Sequence, residues 1–384
     1  MKFKRMRKPI YLDNAATTAL DPEVLTVMMP FFTEVFGNGS SIHGMGRRAK
    51  SAIENARKKV AEILGTSPSE IFFTSGGTEA NNTVIRGVVE SLGVKTIISS
   101  PIEHHAVLHP LEHLNGKDGF SFKLVNLDDS GSIDYKHLEE LLKGSEKPLV
   151  SLMHGNNEIG NILNLKRVSK LCRDNGAFFH SDFVQTLGKL PINLLEIDID
   201  FISGSAHKFH GPKGVGFLYI NANNKIAPFM HGGAQERNMR GGTENVAGVV
   251  GLAKGLEIAA NKMAERRKYI LGLKTYLKEA LLASFPGVSF NGKSGDLASS
   301  LYHLLSVSFP AHKDNEMLLF SLDIEGICVS GGSACSSGTD IGSHVLNALN
   351  IPDERANVRF SFSELNTKEE IDTTLAALKK ILKD

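Results

Sequence analysis

Between about residues 70 and 220 the sequence alternates short apolar runs with longer amphipathic stretches, and this alternation narrows the possible folds more than any other feature. The runs are "IFFTS", "KTIIS", "FKLVNL", "PLVSLMH", "AFFHSD", "IDFISGS" and "GVGFLYI". Strands separated by helix-length segments predict βαβ units and a mainly parallel sheet, so the chain reads as α/β. In sheets of this kind ligands bind beyond the carboxyl ends of the strands, where the chain turns into the next helix. Candidate chemistry is therefore sought at those exits.

At 384 residues the chain is too long for one ordinary domain, and a large and a small one are expected. Ahead of the alternating region, Ala49, Ala52, Ile53, Ala56, Val60, Ile63 and Leu64 recur at helical spacing and predict a packing helix. Behind it, Val246 to Phe285 contains no proline and is helical in pattern almost throughout, which predicts a connecting helix between domains. The boundary falls near Gly255 to Asn261. Residues 13–258 then form the large domain, and residues 1–12 with 259–384 a smaller α+β domain. Near the end, Thr367 and Glu370 make a capping box before the apolar positions Ile371, Leu375, Leu378 and Leu382.

Lys+Arg of 43 against Asp+Glu of 42 leaves a net charge of +1, which supplies no drive toward nucleic acid, anionic membrane or acidic partners. A small molecule or another protein is the expected partner. The basic start (Lys2, Lys4, Arg5, Arg7, Lys8) is not followed by the apolar segment of a signal peptide and reads as a solvated tail. No window approaches the ~18 apolar residues of a membrane span. Three cysteines, Cys172, Cys328 and Cys335, are too few for a disulfide framework and lack CxxC spacing. A soluble cytoplasmic protein is expected.

Four strand exits carry reactive or anion-binding residue types. In "FFTSGGTEANN", Ser75, Gly76, Gly77 and Thr78 stand between a strand and a helix, where backbone N–H groups and the helix N-terminus can hold a phosphate. A plain helix cap is the equal alternative. Asp182 and Gln185 follow the strand in "FFHSDFVQ"; the aspartate is either a helix cap or the partner of a cationic ring nitrogen. "ISGSAHKFHGPKG" supplies Ser205, His207, Lys208 and Lys213, and either lysine could clamp phosphate or form a Schiff base. In "PIEHHAVLHPLEH", His105, His109 and His113 recur every four residues as zinc ligands on a helix would. Against zinc, Pro110 belongs in the first turn of a helix, which would leave His105 and His109 off it. His104 is better placed to stack on a flat ligand or move protons. Together the four exits suggest pyridoxal 5'-phosphate (PLP).

With these motifs in view, the chain resembles the cysteine desulfurases of the NifS/IscS type, within the class-V aminotransferase-like PLP enzymes. The likeness runs from "YLDNAATT" at Tyr11 to "VRFS" at Val358 and is carried by "SGGTEANN", "EHHAV", "NNEIG", "SAHKFHGPKG", "RGGTEN" and "GGSACSSG" in that order. It implies the PLP-dependent transferase fold of type I, with a seven-stranded sheet in the large domain. It implies that Lys208 is the Schiff-base lysine and that Gly77, Thr78, Ser205 and His207 hold the phosphate. Asp182 would pair with the pyridinium nitrogen, Gln185 with the phenolic oxygen, and His104 would stack on the ring. Asn157 would lie beside ring and substrate, Arg359 would take the substrate carboxylate, and Thr243 would reach the neighbouring subunit's phosphate in a homodimer. Two positions depart from the family pattern: Phe183 replaces a usual alanine and bears on packing beside the ring, while Ser363-Glu364 replaces a Gly-Arg pair and bears on the local surface.

The implied reaction converts L-cysteine to L-alanine. Lys208 removes the Cα proton, His104 handles the thiol proton, and Cys335 takes the sulfur as a persulfide for delivery to an iron–sulfur scaffold or a tRNA-thiolation relay. Cys172 occupies an apolar helical phase and Cys328 a strand, so both are expected to be inert. Cys335 lies in Ser330 to Ser343, a stretch with four glycines and five serines that reads as a mobile loop. At roughly 3.3 Å per extended residue, such a loop carries a thiol more than about 10 Å. Selenocysteine lyase or another class-V PLP aminotransferase or lyase is the alternative enzyme. A non-catalytic scaffold is the alternative outside catalysis, opposed by the presence of Lys208, Asp182 and Cys335.

Overall fold

All seven apolar runs are strands in the computed structural model, which describes residues 9–312, 315–331 and 342–382. After β1 (Ile10–Tyr11) come β2 (Ile71–Thr74), β3 (Thr96–Ser99), β4 (Ser121–Leu124), β5 (Leu149–Ser151), β6 (Phe178–Asp182), β7 (Phe201–Ser205) and β8 (Gly216–Ile220). They form one sheet in the order β2-β8-β7-β6-β5-β3-β4. Within it β8 runs against both neighbours and the other pairings are parallel, so β2, β3, β5, β6 and β7 all end at the same edge. Strand β8 starts at Gly216, where a Cβ would lie 2.4 Å from the Gly204 carbonyl oxygen and 2.7 Å from Gly76 Cα. No side chain fits between backbones this close.

Helices α1 (Pro22–Met28) and α2 (Pro30–Thr33) precede α3 (Gly44–Leu64), where Ala49, Ile53, Ala56, Val60 and Leu64 of the positions predicted from spacing are buried and Ala52 and Ile63 half-buried. The crossovers of the sheet include α4 (Gly77–Ser91), α5 (His105–Leu114), α6 (Tyr135–Lys143) and α7 (Leu165–Asp174). The expected single connecting helix is instead two, α8 (Val246–Asn261) and α9 (Met263–Ser284), because Lys262 leaves the helical range at φ −95°, ψ 6°. The break has a packing cause. Val249, Leu252, Leu256 and Ala259 of α8 are buried in the core beneath the large sheet, whereas Ile270, Leu273, Leu277 and Leu281 of α9 belong to a second core, so the apolar face must be re-aimed between them.

That second core underlies β9 (Ser289–Phe290), β10 (Leu304–Phe309) and β12 (Ala356–Ser361), an antiparallel sheet in the order β12-β10-β9. Strand β11 (Ile327–Cys328) pairs in parallel with β1, and Leu12 just beyond β1 is fully buried in the same core. Helices α10 (Leu318–Ile324), α11 (His344–Ala348) and α12 (Lys368–Ile381) complete the chain. The predicted Thr367–Glu370 capping box is present at the start of α12.

Candidate active site

The strand exits of the large sheet open into a cavity of about 490 Å³, lined by Gly77, Thr78, His104, Asn157, Asp182, Gln185, Ser205, His207, Lys208 and Arg359 among others. Residues spread over more than 280 positions of sequence thus share one space, and β12 contributes Arg359 from the second core. Thr243 does not line this cavity and is exposed. Cys335 lies outside the described residues.

At one wall, α4 begins at Gly77 with Gly76 as its N-cap and, among the described residues, no side chain bonding the first-turn N–H groups. A Cβ on Gly77 would stand 2.7 Å from the Val184 Cγ2, so glycine keeps this end open. Unbonded N–H groups and the positive end of a 15-residue helix make an anion cradle, with Ser205 and His207 beside it. His207 Nδ1 lies 3.1 Å from Thr17 Oγ1. Burial, with the charges of Lys208, Lys213 and Lys189, pushes the His207 ring down to about 4, so it is neutral near pH 7.

Asp182 ends β6 with its carboxylate committed twice: Oδ2 accepts from Asn81 Nδ2 at 2.7 Å and Oδ1 from the Val184 backbone N–H at 2.8 Å. Asn81 is fully buried on α4, a polar residue among Ala80, Val84, Ile85 and Val88. Lys208 Nζ donates to the backbone carbonyls of Ala15 and Ala16 at 2.6 and 2.7 Å. Gln185 Nε2 donates to the Ala15 carbonyl at 2.9 Å. Lys213 also borders the cavity but is exposed. The N-terminal segment that meets Lys208 carries no chemical residue type to announce it.

Arg359, 2 % exposed, donates from Nη2 to Asp13 Oδ1 at 2.8 Å and from Nη1 to the Asn157 carbonyl at 3.0 Å, while its Nε has no partner among the described residues. On the same side Glu158 accepts from Ser343, and His344 Nε2 donates to the Glu103 carbonyl at 2.8 Å. Burial pushes the Glu103 carboxyl up to about 8. Its Oε1 accepts from the Met153 N–H at 2.8 Å and the Ser100 hydroxyl at 3.1 Å.

The histidine stretch corrects one expectation. Helix α5 runs from His105 through Pro110, so His105 and His109 do lie on it. Proline removes one backbone donor, but His104 caps the first turn and Ala106, Val107, Pro110 and Leu111 are buried, which holds the helix. The rings of His105 and His109 stack at 4.6 Å, and His105 meets His344 at 4.4 Å. His113 instead contacts Lys117. Among the described residues no group of His, Cys, Asp and Glu has the arrangement of a metal site.

Two expectations about departures also change. Phe183 is fully buried and packs on His154 with ring centroids 4.7 Å apart, so Val184 rather than Phe183 borders the cavity. Alternation past the strand end sends the bulky ring into the core. Glu364 is more than local surface: it pairs with Arg266 at 2.5 Å and with His210 Nε2 at 3.3 Å, two residues from Lys208. Cys172 is buried as expected, and burial pushes its thiol well up.

An α/β scaffold whose strand exits bring a lysine, a bonded aspartate and an open helix N-terminus into one cavity defines a class of cofactor-dependent enzymes. Residues 10–374 match the aminotransferase class-V family, and the chain belongs to it. A cysteine desulfurase IscS of Dictyoglomus turgidum is 44% identical over 98% of this chain and 95% of its own length. The solved structure of a NifS-like protein superposes with a TM-score of 0.89 at 40% identity, covering 97% of this chain and 99% of the other. A further structure, SspA in complex with cysteine, has a TM-score of 0.81 at 30% identity over 93% of this chain and all of the other.

Proposed function

We propose that the protein is a cysteine desulfurase that converts L-cysteine to L-alanine and keeps the sulfur as a persulfide on Cys335. The observation that carries the reading is the convergence of Lys208, Asp182, the open N-terminus of α4 and Arg359 on one cavity. The printed names of the relatives and the cysteine complex of a similar structure support the same chemistry.

PLP fits this donor set. Gly77 leaves room at this helix end, and Thr78, Ser205 and His207, which line the cavity beside it, would hold the phosphate. Asp182, braced by Asn81, supplies the fixed carboxylate that a pyridinium nitrogen requires, and Gln185, Asn157 and His104, which line the same cavity, would complete the ring's surroundings. When bound, the cofactor draws electrons from the substrate Cα and weakens the bonds around it. Lys208 would anchor the cofactor, take the Cα proton on Nζ and return it to Cα before alanine leaves. Arg359 binds the substrate carboxylate through its planar guanidinium. The Cys335 sulfur forms a bond to the substrate sulfur as the Cβ–S bond breaks. The electron pair stays on carbon and a proton fills it. Thiol plus cysteine becomes persulfide plus alanine, with no oxidant or reductant added.

The sulfur then passes to an acceptor protein that serves iron–sulfur assembly or tRNA thiolation, in a reducing cytoplasm. Thr243, exposed and outside this cavity, would serve the neighbouring subunit of a homodimer. Exposed Phe32, Phe36 and Ile42 supply apolar surface for that contact. The division into residues 13–258 and residues 1–12 with 259–384 belongs to the same proposal. Mass spectrometry after L-cysteine treatment tests the function. Wild type is expected to gain one sulfur on Cys335 and release alanine. Cys335→Ala is expected to lose the protein-bound sulfur, and a variant that still formed it would defeat the reading.

A further inference from the structure

His104 caps its own helix with its ring. Its backbone is extended at φ −63°, ψ 148°, and Nδ1 accepts the Ala106 backbone N–H at 3.0 Å. A backbone N–H can only donate, so Nδ1 must offer its lone pair, and the one proton of a neutral imidazole then sits on Nε2. That edge of the ring is left to the cavity His104 lines. Adding a second proton would set Nδ1–H against Ala106 N–H and break the cap.

We propose that His104 is a fixed hydrogen-bond donor in the cavity and binds the substrate sulfur as thiolate, rather than acting as the base that removes the thiol proton. The proposal rests on the cysteine-desulfurase reading for the identity of the sulfur. A neutral Nε2–H has no lone pair with which to take a proton, and transfer would need the ring to give up its helix cap. In this scheme the thiol proton leaves to solvent before binding, and Nε2–H donates to the sulfur. No covalent bond forms or breaks at the ring.

The surroundings agree with a ring that stays neutral. Burial lowers the affinity of His104 for a second proton. The charge of Asp182 opposes this, while Lys208, His344 and His109 add to it. His105 lies edge-on to the ring at 6.3 Å.

Two substitutions separate the roles, because Asn and Asp are comparably good N-caps. His104→Asn keeps an acceptor for Ala106 and brings an N–H donor. His104→Asp keeps the cap but offers no donor and adds a negative charge. A donor role predicts that His104→Asn exceeds His104→Asp in kcat/KM for L-cysteine by about tenfold or more, the lower end for a hydrogen bond to a charged group. A base role predicts the reverse order, since a carboxylate can accept a proton, and a capping role alone predicts equality. Either of those outcomes overturns the proposal.

The pH profile gives a second readout. The rising limb of kcat/KM is expected near the free-thiol value of about 8.5 in wild type and His104→Asn alike. A limb below about 6.5 that vanishes in His104→Asn would mark His104 as the base. A third readout needs neither substrate nor turnover. Histidine-15N NMR of the full-length protein, assigned with His104→Asn, is expected to show a pyridine-like Nδ1 and a pyrrole-like Nε2 at neutral pH. The opposite tautomer overturns the proposal even in an active enzyme. Conversely, the predicted tautomer in a protein that releases no alanine from L-cysteine would sink the desulfurase reading and leave the donor assignment standing.

Discussion

Arg359 reaches the cavity as a guanidinium already tied down, by Asp13 on one side and the Asn157 carbonyl on the other, with Nε left over among the described residues. A planar fork held this way presents its remaining donors in a set direction and loses little entropy when a carboxylate arrives. Asp13→Asn is therefore expected to raise KM for L-cysteine by about tenfold with a much smaller change in kcat, because a contact made equally in ground and transition states mainly sets KM. Steady-state kinetics checks this, and an equal loss in kcat would move Asp13 into the chemical step. Lys208 illustrates a related point. The carbonyls of Ala15 and Ala16 that receive its ammonium come from the first described residues, far away in sequence.

Glu364 binds elements that local pattern keeps apart. It bridges Arg266 on α9 and His210 in the turn after Lys208, and Asp21 lies 3.8 Å from the same arginine. Burial alone would raise this carboxyl, but the bond to His210 and the charges of His210 and Arg266 outweigh it and hold it down at about 2. A depressed carboxylate stabilises the fold fully above its unfolded value of about 4.3 and loses that contribution as pH falls toward 2. Glu364→Gln is expected to cost about 1–3 kcal/mol near pH 7, since it leaves a mostly buried guanidinium without its charged partner. The difference from wild type should shrink as pH falls below about 4. Denaturant titrations at several pH values measure both. On α12 the capping box supplies a smaller, local term, and Thr367→Ala is expected to lower stability by about 1 kcal/mol in the same assay.

The molecule as a whole carries a buried lysine whose charge works against folding. Lys274 is fully buried, donates to Ser300 Oγ and the Leu301 carbonyl, and is pushed down to about 7 by burial and by the charge of Lys278. Between that value and the unfolded value of about 10.4, the unfolded chain holds more protons at this site, so the Lys274 contribution to stability grows as pH rises. Lys274→Met removes the dependence. The melting temperature of the variant minus that of wild type should fall steadily from about pH 7 to about pH 10, and a constant difference would rule this out. At the scale of assembly, Phe32, Phe36 and Ile42 are 59%, 71% and 92% exposed, apolar side chains for which a partner copy would provide burial. The double substitution Phe36→Glu with Ile42→Glu is expected to turn the proposed dimer into a monomer in analytical ultracentrifugation.

Alternation of apolar runs located all seven strands, helical spacing located α3, and residue types at the strand exits marked Gly77, Asp182, Ser205, His207 and Lys208. Those features depend on neighbours within a few turns of chain, which is the range that periodicity, caps and small-residue turns record. Other features needed contacts across hundreds of residues. Asp13 meets Arg359, the Ala15 and Ala16 carbonyls meet Lys208, and Asn81 meets Asp182, each through packing between elements rather than through local pattern. Tertiary competition also broke the expected long helix at Lys262, kept α5 helical through Pro110, and turned Phe183 into the core. Local sequence thus marked the residue types at the strand exits, Arg359 and Asn157 were reached only through the family resemblance, and the partners that orient each group were decided by which apolar faces the two cores required.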